Sequence, residues 1–488
     1  MSPRPVRPLS TAGWALLALV ASGSPASPQV EKASDLRYPP LRETTAPTPQ
    51  KVVLDNGMTI LLLEDHELPI VDVTAIVRTG ALWEPADKVG LAELTGRVLR
   101  SGGTQRQSGD EIDDFLENRA ATIETAIADD SGTARLSCLR EDFSDVFLTF
   151  ADVLRRPAFD ATKLELARNR AMAVVARQND DPQEILDREF REIVFGKDSP
   201  NARTPTFATL AAIRRADLIA WHAKYFHPER IVLGIVGDVD SAATLARVRE
   251  AFGDWPRGPE VDDPAPKPPQ EVKPGVYTVD LEGQAQSNIA MGYLGIRRDD
   301  PDLFTVEVLN QLFGGSFASR LFSTVRSKKA LGYVVFGAVN SDWGRPDVTQ
   351  LILTTKAETT GAGVAALLEE AKRLLAEPPT DREVEEAKRA LLSSFVFTRD
   401  SVRKTLRQQL ILQYWGYPAD WYERYRRGVE AVTTEQVRQA AARLIRPEEF
   451  AIVVVGPAAQ RERPLTDFGP VTALDITIPS APKGPKQP

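Results

Sequence analysis

The sequence contains few of the side chains that bind metals or form covalent cross-links. Among its 488 residues there is one cysteine, Cys138, and there are three histidines, His66, His222 and His227. A disulfide within the chain needs two cysteines, so none can form. Cys138 lies in an apolar stretch and is predicted to be a small buried residue. The scarcity of histidine leaves little material for a metal site built on imidazoles.

The chain also lacks excess positive charge and long apolar runs. Its formal net charge is -8, which argues against a nucleic-acid partner because phosphate backbones bind clustered basic surfaces. The N-terminus carries Arg4 and Arg7, then a short apolar stretch over 14–21 and several small residues. That order is typical of a secretory signal, and the stretch is shorter than the roughly 20 residues of a membrane span. We therefore predict a signal peptide over 1–26 and a periplasmic or secreted protein with no membrane span, with a cytoplasmic tail as the alternative.

The chain contains an internal duplication. The segment HPERIVLGIVG at 227–237 resembles RPEEFAIVVVG at 446–456. Pro228 and Pro447 are 219 positions apart, and so are Gly237 and Gly456. Several agreements at one offset indicate two homologous halves. Each half has a size that is ordinary for a domain with its own core.

Proline-rich segments separate and flank the two halves. We predict a proline-rich tail over 27–48, a first domain over 49–255, a linker over 256–274, a second domain over 275–460 and a polar tail over 461–488. Proline lacks a backbone donor and restricts φ, so the linker is predicted to be extended, without a helix or strand. Both tails are predicted to be peripheral or mobile.

Strand-like and helix-like patterns follow one another in each half. Asn56-Gly57 between two apolar runs predicts a hairpin. Further strands are predicted at 71–77, 122–127, 133–139, 231–236, 275–281, 287–293, 333–341 and 348–356, and helices at 91–99, 110–118, 161–179, 183–195, 216–225, 303–312, 361–376, 381–396 and 402–413. Because the strands occur in neighbouring pairs, the pattern favours an α+β fold in which each half is a mostly antiparallel sheet with helices packed on one face.

Residues 90–104 read GLAELTGRVLRSGGT. This frame resembles the zinc helix of the insulinase/pitrilysin metallopeptidases (inverzincins, including the mitochondrial processing peptidases), whose pattern is roughly G-L-A-H-x-x-E-H. In that motif two histidines one turn apart bind zinc and the glutamate is the general base. The three positions hold Glu93, Gly96 and Arg97 here. A guanidinium has no lone pair to offer a metal, and glycine carries no base.

The resemblance extends from about residue 50 to 458. It rests also on VLDNGMTI at 53–60, on YFHPER at 225–230 and on FGGSFASRLF at 313–322. It implies two homologous α+β domains that form half of a clamshell chamber. The family's third zinc ligand is an acidic residue on a long helix, but residues 171–177 contain no acidic side chain, and residues 123–126 depart from the family's asparagine-alanine pair on the edge strand.

The three histidines do not form an obvious replacement site. His222 and His227 are five positions apart, which is a poor spacing for one helix face. His66 lies in a polar turn. We therefore expect no metal bound by this chain.

Residues 326–333 read RSKKALGY and resemble the R-x-x-x-x-L-G-Y element of the family's second domain. The resemblance implies that Arg326 and Tyr333 hold a peptide carbonyl, and a guanidinium and a phenol can stabilise the negative charge that develops there. Taken alone, Arg326 could be a solvated helix residue and Tyr333 a half-buried strand residue.

A glycine-rich turn precedes this element. The family places such a loop near the substrate, so Gly314, Gly315 and Ser316 are predicted to contribute to substrate binding, since glycines let a backbone approach a ligand closely. As a lone motif the segment is only a turn before a helix, and no lysine follows it at the spacing of a phosphate loop.

These observations favour a zinc-less subunit of a heteromeric insulinase-family peptidase. On this hypothesis a homologous zinc-bearing partner hydrolyses peptides, the zinc belongs to that partner, and this chain binds the peptide through Arg326 and Tyr333. The alternative is a non-catalytic scaffold or binding protein of the same fold. A third hypothesis is a free-standing peptidase with unusual metal ligands.

Overall fold

The computed structural model describes residues 47–262 and 272–479. The predicted signal peptide lies outside these residues, as do nearly all of the predicted N-terminal tail and the middle of the predicted linker. The described parts of that linker, 256–262 and 272–274, contain neither helix nor strand. Within the described ranges, no helix combines the length and the apolar character required to cross a bilayer.

The first half forms one sheet with a set of helices. Its strands are β1 (Gln50–Val53), β2 (Thr59–Glu64), β3 (Ile70–Val77), β4 (Thr122–Ile127), β5 (Gly132–Leu139) and β6 (Ile231–Gly237). Its helices are α1 (Leu91–Ser101), α2 (Gly109–Glu117), α3 (Phe143–Arg155), α4 (Ala161–Arg177), α5 (Pro182–Phe195), α6 (Phe207–Ala212), α7 (Arg215–Tyr225) and α8 (Ser241–Phe252). Helices α3, α6 and α8 are additions to the sequence-based prediction.

The second half repeats this plan. Its strands are β7 (Gly275–Asp280), β8 (Gln286–Leu294), β9 (Ile296–Arg297), β10 (Val334–Asp342), β11 (Pro346–Lys356), β12 (Ala451–Gly456) and β13 (Val471–Ala473). Its helices are α9 (Leu303–Phe313), α10 (Thr360–Ala376), α11 (Asp381–Phe395), α12 (Val402–Trp415), α13 (Trp421–Ala431) and α14 (Thr434–Leu444). A π-helical segment, Phe322–Lys328, lies between α9 and β10.

The two sheets have corresponding strand orders. The first sheet runs β1-β2-β6-β3-β5-β4 and the second β13-β7-β12-β8-β11-β10-β9. Most neighbours are antiparallel, and the parallel pairs are β2 with β6, β7 with β12 and β13, and β9 with β10. Strand β4 is an edge strand, and β9 pairs only with the last two residues of β10. Each half therefore presents the edge of a sheet.

Local sequence signals explain several element boundaries. Gly57 has a φ of 91° in the β1–β2 hairpin, a conformation that glycine adopts without strain. Helix α2 begins with a capping box between Ser108 and Glu111, and α11 with one between Thr380 and Glu383. These contacts satisfy backbone N–H groups that a helix leaves unpaired at its start.

Each sheet is covered on its second face by a helix of the other half. Helix α5 belongs to the first half, yet its Ile185 and Phe190 pack in one cluster with Val453 of β12. Helix α12 packs Leu410 against the first sheet, where a side chain at Gly234 would come within 2.5 Å of it. The sequence predicts helices on one face only. The structure has helices on both faces because the two long helices are exchanged between the halves.

The predicted C-terminal tail includes a strand. Residues 471–473 form β13, which pairs in parallel with β7 at the edge of the second sheet. Leu465, in the segment before it, is buried in the second core. The ordered second half therefore extends beyond residue 460, where the sequence predicts a peripheral tail.

Candidate functional site

The zinc-motif positions lie on α1. The carboxylate of Glu84 accepts hydrogen bonds from the backbone N–H groups of Gly90 and Ala92, at 3.0 and 2.6 Å, and so caps the start of the helix. One turn further on, Arg97 Nε donates to Glu93 Oε1 over 2.8 Å, and both side chains are exposed. The two positions that carry histidine ligands in the motif are thus an ion pair here.

Gly96, at the position of the general base, lies directly against β4. A Cβ atom at Gly96 would stand 2.3 Å from the backbone N of Ile127. The hydroxyl of Thr125 also donates to the carbonyl oxygen of Gly96 over 2.7 Å. The space between α1 and β4 is therefore closed by backbone contact, and a glutamate side chain has no room there.

The residues at this place do not fit zinc. Arg97 cannot donate a lone pair, and Ala171 stands in the part of α4 where the resemblance places the third ligand. The described residues contain no group of three or more histidine, cysteine or carboxylate side chains arranged to hold a metal. We derive no metal chemistry from this half of the chain.

Each histidine has its own local partner. His66 Nδ1 lies 2.6 Å from Asp238, which raises the pKa of this exposed imidazole. His222 Nε2 lies 2.8 Å from the carbonyl oxygen of Leu154, and burial lowers the pKa of this imidazole to about 4. His227 Nε2 lies 2.7 Å from the carbonyl oxygen of Ala223 in α7, the helix that ends just before it. Each histidine ring is thus held by a contact with a residue of its own surroundings.

The structure brings Arg326 and Tyr333 together. The guanidinium carbon of Arg326 lies 4.9 Å from the ring centre of Tyr333 and 4.6 Å from that of Phe322. Tyr333 is 75% exposed. Among the described residues, nothing hydrogen-bonds or ion-pairs with either the guanidinium or the phenol. Both polar groups are positioned by stacking of the guanidinium on the two rings.

The π-helical segment that carries Arg326 is anchored from α10. Its Thr324 and Val325 are buried. Arg373 Nη2 donates to the Thr324 hydroxyl over 3.3 Å and lies 2.9 Å from Glu370. Burial raises the pKa of the Glu370 carboxyl despite this arginine. π-Helical turns occur often at functional sites, and this one leaves Arg326 partly exposed while Thr324 and Val325 on its other side are buried.

The glycine-rich turn has a mainly structural place. A Cβ atom at Gly314 would lie 2.4 Å from the carbonyl oxygen of Gly337, so the end of α9 packs on the backbone of β10. The Ser316 hydroxyl donates to Gln311 O over 3.1 Å. Gly315 alone of the three is exposed. The turn leads to Phe317, which sequence reasoning missed.

Exposed apolar side chains occur in the segments next to Arg326. Phe317 is 81% exposed and contacts Phe322 edge to face at 5.0 Å between ring centres. Val334 and Phe336 are also exposed, and they alternate with buried residues along the edge strand β10. We call Phe317, Phe322, Tyr333, Val334 and Phe336 the β10 apolar surface. The alternation of Val334 and Phe336 with other residues was the signal in the sequence that could have identified this surface, because the exposed side chains of an edge strand are usually polar.

Two family profiles match the chain. The one described as "Insulinase (Peptidase family M16)" matches residues 59–204, and the one described as "Peptidase M16 inactive domain" matches residues 212–391. The border between the two matches falls near α6, within the first half as the structure defines it.

Curated relatives carry contrasting descriptions. A non-peptidase homolog of Helicobacter pylori is 23% identical over 384 residues, which cover 78% of this chain and 87% of the relative. An uncharacterized zinc protease of Mycobacterium tuberculosis is 25% identical over 431 residues, covering 86% of this chain and 96% of the relative.

Solved structures share the architecture. A peptidase M16 inactive domain from Pseudomonas fluorescens has a TM-score of 0.75 and 26% identity, over 84% of this chain and 98% of that one. A periplasmic protease of Escherichia coli has a TM-score of 0.71 and 16% identity, over 90% of this chain and 49% of its own length. The predicted fold, two homologous α+β domains forming half of a clamshell, is confirmed.

Proposed function

Because the chain belongs to the insulinase family of peptidases, family M16, we propose that it is a non-peptidase subunit that binds peptides for a homologous zinc-bearing partner. The zinc that activates water would belong to the partner, and this chain would bind no cofactor of its own. The family profiles establish the family, and the residues at positions 93, 96 and 97 establish the altered zinc motif. We propose the partner and the bound peptide.

The observation that carries the proposal is the contrast between the two halves. In the first half, Glu93 and Arg97 neutralise each other and Gly96 leaves no space for a base. In the second half, Arg326 is stacked on the exposed Tyr333, and among the described residues neither polar group has a hydrogen-bond or ion-pair partner. A guanidinium and a phenol in this state can donate to a peptide carbonyl whose oxygen gains negative charge.

The N-terminus and one structural neighbour bear on the compartment. The predicted signal sequence favours a periplasmic subunit, and so does the description of the Escherichia coli neighbour as a periplasmic protease. We propose that location for the complex.

The test is peptide hydrolysis by the reconstituted pair. The chain is co-expressed with a homologous zinc-bearing chain, and cleavage of a fluorogenic peptide is measured for the pair and for each chain alone. Tyr333→Phe removes only the phenolic hydroxyl, and we expect a loss of about 10²-fold in kcat, the scale of one oxyanion donor. Arg326→Met should have a similar effect, with complex formation on gel filtration unchanged.

The matched control is Lys328→Gln, an exposed cation on the same π-helical segment, which should leave turnover unchanged. Hydrolysis by this chain alone that a chelator abolishes would contradict the proposal. Unchanged turnover in both the Tyr333 and Arg326 variants would remove their assigned role.

The second candidate is a scaffold or binding protein without a part in catalysis. Two comparisons favour this second candidate. The Helicobacter pylori relative is described as a non-peptidase homolog, and the Pseudomonas fluorescens structure as an inactive domain. This candidate predicts that Arg326 and Tyr333 variants behave like the unmodified chain with every zinc-bearing partner.

A further inference from the structure

A cavity of about 380 Å³ lies beside the start of α1, in the first half and apart from Arg326. Three segments line it: residues 81–93, the end of β4 with the two residues after it, and the stretch from α5 to residue 205. Its volume falls in the range of pockets that bind small molecules or single residues of a chain. It is open on one side, so a bound group could continue into solvent.

Two arginines of this cavity retain unused donors. Arg191 Nη2 donates to the carbonyl oxygen of Asn201 over 2.6 Å, and Arg203 Nη2 donates to that of Glu84 over 3.0 Å. In the described part of the chain, no carboxylate lies within ion-pair distance of either guanidinium, and the buried Nε of Arg203 has no hydrogen-bond partner. Arg188, the third arginine in the lining, differs because it bonds to Glu189 and to two further oxygens.

The cavity also contains an acceptor without a donor. The side-chain oxygen of Asn201 is buried and has no hydrogen-bond partner among the described residues. A ligand that satisfies the cavity must therefore present an anion to the guanidinium groups and an N–H group to this oxygen. Leaving such buried atoms unpaired is unfavourable because nothing replaces the hydrogen bonds that they lost with water.

The acidic residues in the lining do not neutralise the two arginines. Glu93 is paired with Arg97, and Asp129 lies 3.3 Å from Arg345 of the second half. Glu84 accepts two backbone N–H groups, and burial raises the pKa of its carboxyl to about 7, so that it carries only part of a charge near neutral pH. Outside the lining, Asp187 and Asp347 interact electrostatically with Arg191 without forming an ion pair, so both guanidinium groups retain donors for an anion.

We propose that this cavity binds the C-terminal residue of a peptide, with the carboxylate at Arg191 and Arg203 and the last backbone N–H at Asn201. A carboxylate matches the planar fork of a guanidinium. The remaining walls include Ala81, Val89 and other apolar groups that suit an aliphatic side chain. A bare inorganic anion would leave those walls and the Asn201 oxygen unsatisfied.

The experiment uses the full chain alone and is independent of the proposed partner. A peptide labelled at its N-terminus and ending in Ala-Ala-Val is prepared as the free acid and as the C-terminal amide, and binding is followed by fluorescence anisotropy. We expect the acid to bind at least tenfold more tightly than the amide. N-acetylvaline should compete, and inorganic phosphate should not.

Variants identify the cavity. Arg203→Gln should abolish the preference for the free-acid peptide. Asn201→Asp should abolish it too, because the new carboxylate repels that of the peptide while both arginines keep their backbone contacts. The control is Arg177→Gln, an exposed arginine of the first half whose ion-pair partner, Asp180, also lies outside the lining, and this change should not affect binding. Tyr333→Phe should also leave it unchanged, so that failure here is distinguishable from failure of the catalytic proposal.

Thermal melts of each variant establish that it is folded. Equal affinity of the acid and the amide overturns the proposal. So does a preference for the acid that persists in folded Asn201→Asp, or competition by phosphate at lower concentration than N-acetylvaline.

Discussion

The contact between Gly96 and β4 makes a quantitative prediction for Gly96→Ala. In an ordinary helix interior this change stabilises by about 1 kcal/mol, because alanine has the higher helix propensity. Here the new Cβ would stand 2.3 Å from the backbone N of Ile127 and 2.8 Å from the carbonyl carbon of Ala126. Backbone atoms cannot rotate away as a side chain can, so α1 and β4 must separate.

We expect the overlap to exceed the gain in propensity. Overpacking in a tight interior costs typically about 1–3 kcal/mol or more, and separation of α1 from β4 would also strain the hydrogen bond from Thr125 to Gly96. The net loss should be about 1–2 kcal/mol in the free energy of unfolding. For a domain of about 150–250 residues, each kcal/mol lowers Tm by about 2–4 °C.

Thermal and urea unfolding of Gly96→Ala are compared with Gly363→Ala. Gly363 lies in α10, and a Cβ atom there meets only side-chain ends, the nearest being Leu353 Cδ2 at 2.7 Å. This control should be close to neutral. If Gly96→Ala is as stable as the unmodified chain while the control behaves as expected, β4 moves away from α1 without a measurable cost. The contact between α1 and β4 then does not exclude a side chain at position 96.

The same contact limits any restoration of the zinc motif. A chain carrying Glu93→His, Gly96→Glu and Arg97→His would need β4 to move before the glutamate could point toward a metal. We expect this triple variant to be less stable than Gly96→Ala and to show no zinc-dependent peptide hydrolysis. Stoichiometric zinc with hydrolysis that a chelator abolishes would refute the reasoning.

Three further predictions concern titratable groups. Burial raises the pKa of the Cys138 thiol to about 12, so thiol reagents at pH 8 should label it only after unfolding in urea. Burial raises the pKa of Glu84 from 4.5 to about 7. Its contribution to folding is fully present below pH 4.5 and is lost as pH rises through 7, because the folded state holds the proton more tightly than the unfolded state. Tm should therefore fall as pH rises from about 4.5 to 7, and less so in Glu84→Gln. Hydrogen bonds from Arg320 lower the pKa of Glu383 to about 2. The stability that this shift provides is present above pH 4.5 and is lost as pH falls toward 2. In thermal melts at acid pH, Arg320→Met should lose less stability over this range than the unmodified chain.

Local patterns predicted most elements within a few residues. The hairpin at Asn56-Gly57 follows from the conformational freedom of glycine, and the helices with Ser or Thr caps begin where their capping residues stand. Such signals act over a few positions and do not depend on the rest of the fold. Helices α3, α6, α8, α13 and α14 were missed although each has an apolar face that contacts a core, because short apolar patterns are ambiguous between strand and helix.

Long-range packing could not be predicted in the same way. The apolar faces of α5 and α12 are visible in the sequence, but nothing local indicates that each faces the sheet of the other half. The polar cavity depends in the same way on segments from three places in the first half. Its unpartnered groups, Arg203 Nε and Asn201 Oδ1, become noticeable only once their burial is known.

The sequence by itself determined that this chain lacks the residues of its family's zinc motif. A guanidinium cannot ligate a metal and glycine carries no base in any fold, so Arg97 and Gly96 decide that point by their chemistry. Only the tertiary structure decided that the cleft is closed, because the distance from Gly96 to β4 is a property of packing. The same holds for Arg326 and Tyr333, whose spacing in sequence allows contact but whose stacking at 4.9 Å follows from the π-helical turn and the start of β10.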